Sequence, residues 1–168
     1  MCPKGEIRPA MDRVRESVFS ILGDLTGQSF LDLFSGSGVI GIEAASRGAA
    51  PVVCVEGDGK KKAVLSQNLS MVETEKTLII SSAEKYLKTC GRAFDLIFLD
   101  PPFPYKKKEQ LLEMIDTYAV LKPEGRMLIH YPAEDRLPER TEGLLRDRLK
   151  KYGRSLVAFY RPDTGASL

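Results

Sequence analysis

The sequence has few of the residues on which metal sites depend and no long apolar run. Its three cysteines, Cys2, Cys54 and Cys90, are far apart and form no C-x-x-C pair, and His130 is its single histidine. Because zinc sites are built from clusters of cysteine and histidine, we expect no metal site. No signal peptide is recognisable and no apolar run approaches about 18 residues, so neither secretion nor membrane insertion is indicated. We therefore expect a protein of the reducing cytoplasm.

The overall composition is that of an ordinary globular protein. The chain has 168 residues, of which 43% are hydrophobic and 29% are charged, and this length is typical of one domain. We predict an N-terminal arm over residues 1–9 and one domain over residues 10–168. The formal charge of +2 is compatible with a nucleic-acid partner but does not argue for one.

Strands and helices are predicted to alternate along the chain, beginning with a helix over residues 10–22. Strands are predicted at 30–34, 51–56, 78–80, 95–100 and 125–131, and further helices at 39–47, 58–70, 83–89 and 106–118. Residues 145–160 favour two strands around a turn at Gly153, although the first half is equally compatible with a helix. This alternation predicts an α/β protein with a doubly wound, mostly parallel, Rossmann-like sheet.

The strand that ends at Asp100 continues into Pro101, Pro102 and Phe103. In such a sheet the carboxyl ends of the strands form the ligand-binding edge. Each proline fixes its own φ and keeps the preceding residue out of the helical region, so Asp100 and Pro101 are held extended. A carboxylate, a free carbonyl and an aromatic ring together suit a planar group that carries an NH2. The alternative is an ordinary strand end followed by a proline-rich turn.

A glycine-rich loop lies between the first strand and the next helix. Residues 36–41, Gly-Ser-Gly-Val-Ile-Gly, fit the G-x-G-x-x-G pattern, and Glu56 ends the following strand twenty residues after Gly36. This spacing favours a cofactor that contains adenosine, either a nicotinamide dinucleotide or S-adenosylmethionine. Asp32 is placed to receive the ammonium of a methionine moiety, or it is a buried acid that caps backbone N–H groups. The residues around Asp100 have no role in hydride transfer, which favours the methyl donor.

Three stretches of the sequence resemble a known family when they are taken together. They are residues 30–38 (Phe-Leu-Asp-Leu-Phe-Ser-Gly-Ser-Gly) with Glu56, residues 100–103 (Asp-Pro-Pro-Phe), and residues 8–19 (Arg-Pro-Ala-Met-Asp-Arg-Val-Arg-Glu-Ser-Val-Phe). Together they resemble the bacterial 16S rRNA guanine-N2 methyltransferases, and residues 8–19 are the most specific part. The resemblance implies the class I methyltransferase fold, a seven-stranded sheet with a C-terminal antiparallel hairpin. It also implies S-adenosylmethionine as the cofactor and 16S ribosomal RNA, in a small-subunit assembly intermediate, as the partner.

The resemblance assigns roles to individual residues. The expected cofactor-binding residues are Asp32, Phe34, Ser35, Gly36, Gly38, Glu56 and Ala83. The expected catalytic residues are Asp100, Pro101, Pro102 and Phe103. In this hypothesis the Asp100 side chain and the Pro101 carbonyl accept both hydrogens of an exocyclic amine, and Phe103 stacks on a base that has been extruded from its helix.

Positive charge is expected around the same edge of the sheet, because the helices that follow parallel strands begin there. The expected RNA-binding residues are Arg8, Arg13, Arg15, Lys60, Lys61, Lys106, Lys107 and Lys108. A phosphate backbone is the natural partner for such a surface, and the alternative is a solvated face without a partner.

The sequence departs from the family at its N-terminus. Ala10 stands where members usually have Thr or Ser, and only seven residues precede Arg8, where members usually have a basic β-hairpin. We therefore expect a smaller RNA-binding surface or a truncated reading frame. Three other functions stay open: an adenine-N6 methyltransferase on DNA or RNA, a nicotinamide-dependent oxidoreductase, and an RNA-binding module without catalysis.

Overall fold

The computed structural model describes residues 7–165 and contains one seven-stranded sheet. The strands are β1 (Phe30–Leu33), β2 (Val52–Glu56), β3 (Lys76–Ile80), β4 (Phe94–Leu99), β5 (Leu121–Pro132), β6 (Leu144–Tyr152) and β7 (Ser155–Pro162). The helices are α1 (Ile7–Leu22), α2 (Val39–Ser46), α3 (Lys62–Leu69), α4 (Ala83–Thr89) and α5 (Lys108–Thr117). A 3-10 turn, Gly59–Lys61, precedes α3.

The strand order is β3-β2-β1-β4-β5-β7-β6. Strands β1 to β5 are parallel, whereas β7 pairs antiparallel with both β5 and β6. The predicted doubly wound sheet with a C-terminal antiparallel hairpin is therefore confirmed. β6 lies at the sheet edge and has five charged residues among its nine, a composition that discourages pairing with another chain.

Side chains that alternate along the strands belong to two separate hydrophobic clusters, one on each face of the sheet. Phe30 packs on one face with residues of α1, α2 and α3. Leu31 and Leu33 pack on the other face with residues of α4 and α5. Helices thus cover both faces of the sheet, which explains why β1, β2 and β4 are mostly apolar and buried.

The order of the strands reverses between β1 and β4. β1 connects through α2 to β2 on one side, whereas β4 connects through α5 to β5 on the other. Leu33 is the register partner of Leu99, so the segments that begin at Phe34 and Asp100 leave the sheet side by side. A crevice at such a switch point is where open α/β sheets bind ligands.

Several element boundaries differ from those predicted. α1 begins at Ile7, so residues 7–9 of the predicted arm are helical; Pro9 is tolerated because the first turn lacks intrahelical N–H bonds. Residues 1–6 and 166–168 lie outside the described part, and the single-domain organisation stays a prediction. α5 begins at Lys108 instead of residue 106, and the ambiguous segment is the strand β6. No helix within residues 7–165 is long and apolar enough to cross a membrane.

Candidate active site

The loop between β1 and α2 is formed by residues with left-handed backbone. Phe34, Gly36 and Gly38 have φ values of 62°, 57° and 88°. A Cβ on Gly38 would lie 2.6 Å from Leu65 Cδ1, whereas one on Gly36 would meet nothing within 4 Å. The backbone at Gly36 therefore faces open space, as a loop that admits a ligand requires.

Glu56 is buried at the end of β2 and is fixed through both carboxylate oxygens. The backbone N–H of Gly36 donates to Oε1 at 2.8 Å, and that of Asp58 donates to Oε2 at 2.9 Å. Each carboxylate oxygen has a further lone pair. Glu56 thus joins the glycine loop to the end of β2 and can still accept a hydrogen bond from a ligand hydroxyl.

Asp32 lies beneath the same loop and is 1% exposed. Its Oδ2 accepts a hydrogen bond from the Gly41 backbone N–H at 3.2 Å, and Ser35 Oγ donates to the Asp32 carbonyl oxygen at 2.7 Å. Burial, aided by the charges of Asp100 and Glu56, raises the pKa of Asp32 to about 8. The geometry thus shows Asp32 as a buried acid that caps a backbone N–H, which is one of the two roles that the sequence allowed. Contact with the ammonium of a methionine moiety stays a prediction.

The glycine loop and the loop after β4 touch through an aromatic pair. The rings of Phe34 and Tyr105 meet edge to face with their centroids 5.3 Å apart. The Tyr105 hydroxyl donates to Glu84 Oε1 at 2.9 Å. Ala83, the first residue of α4, is buried beside Glu84. The segments after β1, β3 and β4 are therefore connected around one crevice.

The segment after β4 begins with Asp100, whose backbone N–H donates to the Leu33 carbonyl at 3.3 Å. The next residue, Pro101, is buried, whereas Pro102 is exposed and Phe103 is 45% exposed. The Tyr105 N–H donates to the Pro102 carbonyl at 2.8 Å and closes a turn. The Asp100 carboxylate and the Phe103 ring are therefore both accessible at the crevice, on a backbone fixed by two prolines.

Two buried residues that the sequence did not suggest complete this site. His130 Nδ1 lies 3.0 Å from Asp100 Oδ1, and His130 Nε2 lies 2.9 Å from Ser155 Oγ. The rings of His130 and Phe103 meet edge to face at 5.6 Å. One available signal was that His130 is polar within the apolar end of a strand. Leu99 pairs with Ile129, so the next residues on the two strands, Asp100 and His130, are neighbours.

A cavity of about 520 Å³ opens beside Phe103 and His130. Its other walls are the N-terminal half of α1, including Ala10 and Arg13, and the turn between β6 and β7, including Arg154. Its volume is typical of ligand pockets. Residues of the specific sequence stretch 8–19 and Phe103 of the Asp-Pro-Pro-Phe segment thus line the same cavity.

Known proteins that resemble the chain agree on one family. Residues 1–161 match the model of the family described as Conserved hypothetical protein 95. YlbH of Bacillus subtilis is 37% identical over 160 residues, which cover 92% of this chain and 87% of YlbH. Ribosomal RNA small subunit methyltransferase D of Haemophilus influenzae is 34% identical over 160 residues, which cover 85% of this chain and 82% of that protein. The chain belongs to the methyltransferase D family. The family expected from the sequence is thereby confirmed.

A solved structure of a similar protein has the same fold. A protein of Streptococcus pyogenes, described as a conserved hypothetical protein, superposes with a TM-score of 0.83 at 30% identity, covering 92% of this chain and 98% of that one.

The expected RNA-binding residues of this family member differ in exposure and in their partners. Lys60, Lys61, Lys106 and Lys107 are exposed after β2 and β4, at the carboxyl edge of the sheet, and Arg13 is exposed on α1. The side chain of Arg8 lies outside the described residues. Arg15 forms ion pairs with Asp12 at 3.0 Å and Glu43 at 3.6 Å, so its charge is already partnered.

Lys108 differs most from expectation, because it is 4% exposed. Its Nζ donates to the carbonyls of Phe103 and Tyr105 and lies 2.6 Å from Asp135 Oδ2. A phosphate cannot reach this ammonium group. Lys108 instead holds the loop after β4. It precedes the buried Leu111, Leu112 and Ile115 by three, four and seven residues, so it lies on the buried face of α5.

The crevice has the chemistry that S-adenosylmethionine requires. Open backbone at Gly36 suits close approach of a ligand, and the fixed carboxylate of Glu56 suits ribose hydroxyls. Asp32, a buried acid with a raised pKa, suits a neighbouring cation. Within residues 7–165, no group of three or more His, Cys, Asp or Glu side chains is placed to hold a metal ion.

Proposed function

We propose that the protein methylates the exocyclic N2 amine of a guanine in 16S ribosomal RNA, with S-adenosylmethionine as the methyl donor. The observation that carries the proposal is the position of Asp100 at the switch point of the sheet. One of its oxygens is held by His130, and its side chain is 25% exposed beside Phe103. Relatives named ribosomal RNA small subunit methyltransferase D support RNA as the substrate.

The glycine loop and the ends of the neighbouring strands would hold the cofactor. Gly36 and Gly38 offer backbone to the ligand, Glu56 accepts from the ribose hydroxyls, and Asp32 lies beneath the methionine moiety. Phe34, Ser35 and Ala83 form the nearby walls. When it is bound, S-adenosylmethionine supplies a methyl group that is activated by a sulfonium charge.

Asp100 and Pro101 act on the amine. The lone pair of an exocyclic purine amine is delocalised into the ring, so the amine is a weak nucleophile. The Asp100 side chain and the Pro101 carbonyl accept its two N–H hydrogens, which favours a tetrahedral nitrogen and frees the lone pair. Pro102 keeps both acceptors in place, so the acceleration arises from orientation and preorganised electrostatics.

Phe103 would hold the base. A base within an RNA helix cannot reach Asp100, so it must be extruded, as other base-modifying enzymes require. The exposed ring of Phe103 lies at the cavity beside His130 and can stack on the extruded base. Such stacking contributes about 1–3 kcal/mol to binding.

The test is tritiated methyl transfer to ribosomal RNA from cells that lack this gene, followed by nucleoside mass spectrometry. We expect N2-methylguanosine from the unaltered protein and none from Asp100→Ala, with cofactor binding retained. Asp147→Ala, which removes an exposed acid of β6, is the matched control and should stay active. N6-methyladenosine would instead identify an adenine methyltransferase. Cofactor binding without transfer would indicate an RNA-binding module, and binding of a nicotinamide dinucleotide would indicate an oxidoreductase.

The form of the substrate is tested with the same assay. We propose that the protein acts on an assembly intermediate of the small subunit in the cytoplasm. Naked 16S RNA and small-subunit particles from the deletion strain should then differ, with faster transfer to the particles. Equal rates would contradict this part of the proposal.

A further inference from the structure

His130 is the side chain that contacts both Asp100 and Phe103. Its Nδ1 lies 3.0 Å from Asp100 Oδ1, and its ring meets that of Phe103 edge to face. The His130 side chain is 3% exposed, whereas that of Asp100 is 25% exposed. His130 therefore lies behind the amine-binding groups and acts on a substrate only through them.

Ser155 holds the far side of the His130 ring. Its Oγ lies 2.9 Å from His130 Nε2 and 3.2 Å from the Tyr152 carbonyl oxygen. Ser155 is the first residue of β7, and Pro132, two residues beyond His130, is its register partner. The ring is thus fixed between two strands, with a hydrogen-bonding atom at each nitrogen.

The single hydroxyl hydrogen of Ser155 has two possible acceptors. When it is donated to His130 Nε2, the ring carries its proton on Nδ1 and donates that proton to Asp100. When it is donated to the Tyr152 carbonyl, Ser155 Oγ accepts from a protonated Nε2, and the ring carries protons on both nitrogens. Both ring nitrogens are hydrogen-bonded in either state. The position of the ring is therefore fixed whichever acceptor Ser155 uses, and no buried polar group is left unsatisfied.

We propose that His130 is a positioning residue for methyl transfer, which orients Asp100 through the hydrogen bond from its Nδ1–H and Phe103 through the ring contact. The proposal rests on the proposed function. As the amine nitrogen bonds to the methyl carbon, the carbon–sulfur bond breaks and its electron pair stays on the sulfur. The nitrogen, now positively charged, gives one N–H proton to Asp100. The Asp100 side chain, which is 25% exposed, releases this proton to solvent after product release.

The kinetic test uses His130→Ala, which removes the hydrogen bond to Asp100 and the ring contact with Phe103. We expect kcat to fall about 100-fold, the size of the loss when a reacting group is misplaced by about 1 Å. Kd for S-adenosylmethionine should change by less than about threefold, because the glycine loop and Glu56 are unchanged. Ser155→Ala should also lower kcat, whereas Ser46→Ala, at an exposed serine of α2, should not. Added imidazole should restore part of the activity of His130→Ala. Near-normal kcat in folded His130→Ala would overturn the proposal.

A second test does not depend on methyl transfer. Because His130 is the only histidine of the chain, its two ring nitrogens give unambiguous ¹⁵N NMR signals. We expect Nδ1 to carry a proton in the unaltered protein, and Asp100→Ala to move the neutral ring to the Nε2–H form, because Nδ1 then has no acceptor. Identical ring signals in the two proteins would overturn the His130 assignment. Absence of transfer by the unaltered protein would instead overturn the proposed function, so the two failures are distinguishable.

Discussion

Two carboxyl groups and one ammonium group at the carboxyl edge of the sheet are buried, and their partners differ. Glu56 receives a backbone N–H on each oxygen, and Lys108 reaches two carbonyls and a carboxylate. Asp32 receives the Gly41 N–H, and its pKa is raised to about 8 by burial and by neighbouring acids. Glu56 and Lys108 are therefore matched to groups of the protein, whereas Asp32 is a buried acid suited to a cationic ligand.

Cofactor binding should release a proton from Asp32. At pH 7 its carboxyl group is largely protonated in the free protein because its pKa is raised to about 8. A bound ammonium group favours the ionised form and lowers that pKa. Affinity should therefore rise with pH up to about 8 and then level off. Calorimetry at pH 7, in buffers of different ionisation enthalpy, measures the released proton.

The control for this prediction is Asp32→Asn, which has no proton to release. Its binding enthalpy should be independent of the buffer, and its affinity should lack the rise with pH. Equal proton release by the two proteins would mean that another group titrates and that Asp32 does not contact the cation.

Replacing Lys108 should loosen the loop after β4. Lys108→Met leaves Asp135 and the carbonyls of Phe103 and Tyr105 without their donor. Breaking a buried pair costs about 3–5 kcal/mol, and because the Asp135 side chain is 26% exposed, we expect about 1–3 kcal/mol from urea unfolding. The exposed Lys107→Met should change stability by less than about 0.5 kcal/mol. Equal effects of the two substitutions would show that the buried contacts contribute little.

At the scale of secondary-structure elements, the site depends on where strands end. β1, β2 and β4 each deliver one acid, Asp32, Glu56 or Asp100, to the same edge of the sheet. Gly41 lets α2 pack against this sheet, because a Cβ there would lie 2.6 Å from Cys54 Sγ. The crevice is therefore a consequence of strand order combined with close helix packing.

The glycine loop between β1 and α2 should tolerate no side chain at Gly38. Its φ of 88° is unfavourable for other residues, and a Cβ would clash with Leu65. Left-handed backbone costs an L-residue about 1–2 kcal/mol, so Gly38→Ala should weaken S-adenosylmethionine binding about tenfold or more. Gly59→Ala is the control, because a Cβ there meets nothing within 4 Å. Titration calorimetry on both variants measures the difference, and equal affinities would contradict the prediction.

The alternation of strands and helices in the sequence predicted the elements that carry the site, but it did not predict the contacts between them. The glycine pattern, Glu56 and Asp100 follow from local sequence, because each marks the end of an apolar strand. The contact of His130 with Asp100 depends on the register of β5 beside β4, which spans a loop and a helix. Periodicity could not separate strand from helix at β6, because this edge strand is partly exposed and its polar residues fit both patterns.

For the charged residues too, the sequence predicted positions but not the groups with which they pair. Runs of lysine predicted a basic rim, and four of those lysines are exposed there. Sequence did not reveal that Arg15 pairs with Glu43 of another helix, nor that Lys108 turns inward. Charge partners depend on which groups of other elements a side chain meets, and local sequence does not contain that information.

At the scale of the whole molecule, the net charge is only +2, so RNA binding depends on where the positively charged residues lie. Lys106 and Lys107 are exposed just after the Asp-Pro-Pro-Phe segment, at the edge where the cavity opens. Lys88 is also exposed, but it lies in the last turn of α4, which runs back toward the opposite edge. A comparison of Lys106 and Lys107 with Lys88 therefore distinguishes a local phosphate contact from a general effect of net charge.

We expect RNA affinity to fall steeply with salt, and the slope to depend on which lysine is removed. Each phosphate contact adds about 0.7–0.9 to the slope of log K against log salt, because binding releases a condensed counterion. Lys106→Gln and Lys107→Gln should each reduce the slope by about that amount, whereas Lys88→Gln, with the same change in net charge, should leave it unchanged. Filter binding of 16S RNA over a series of KCl concentrations measures all four slopes. If Lys88→Gln lowers the slope as much as Lys107→Gln, net charge alone governs binding and the carboxyl edge is not the RNA-binding surface.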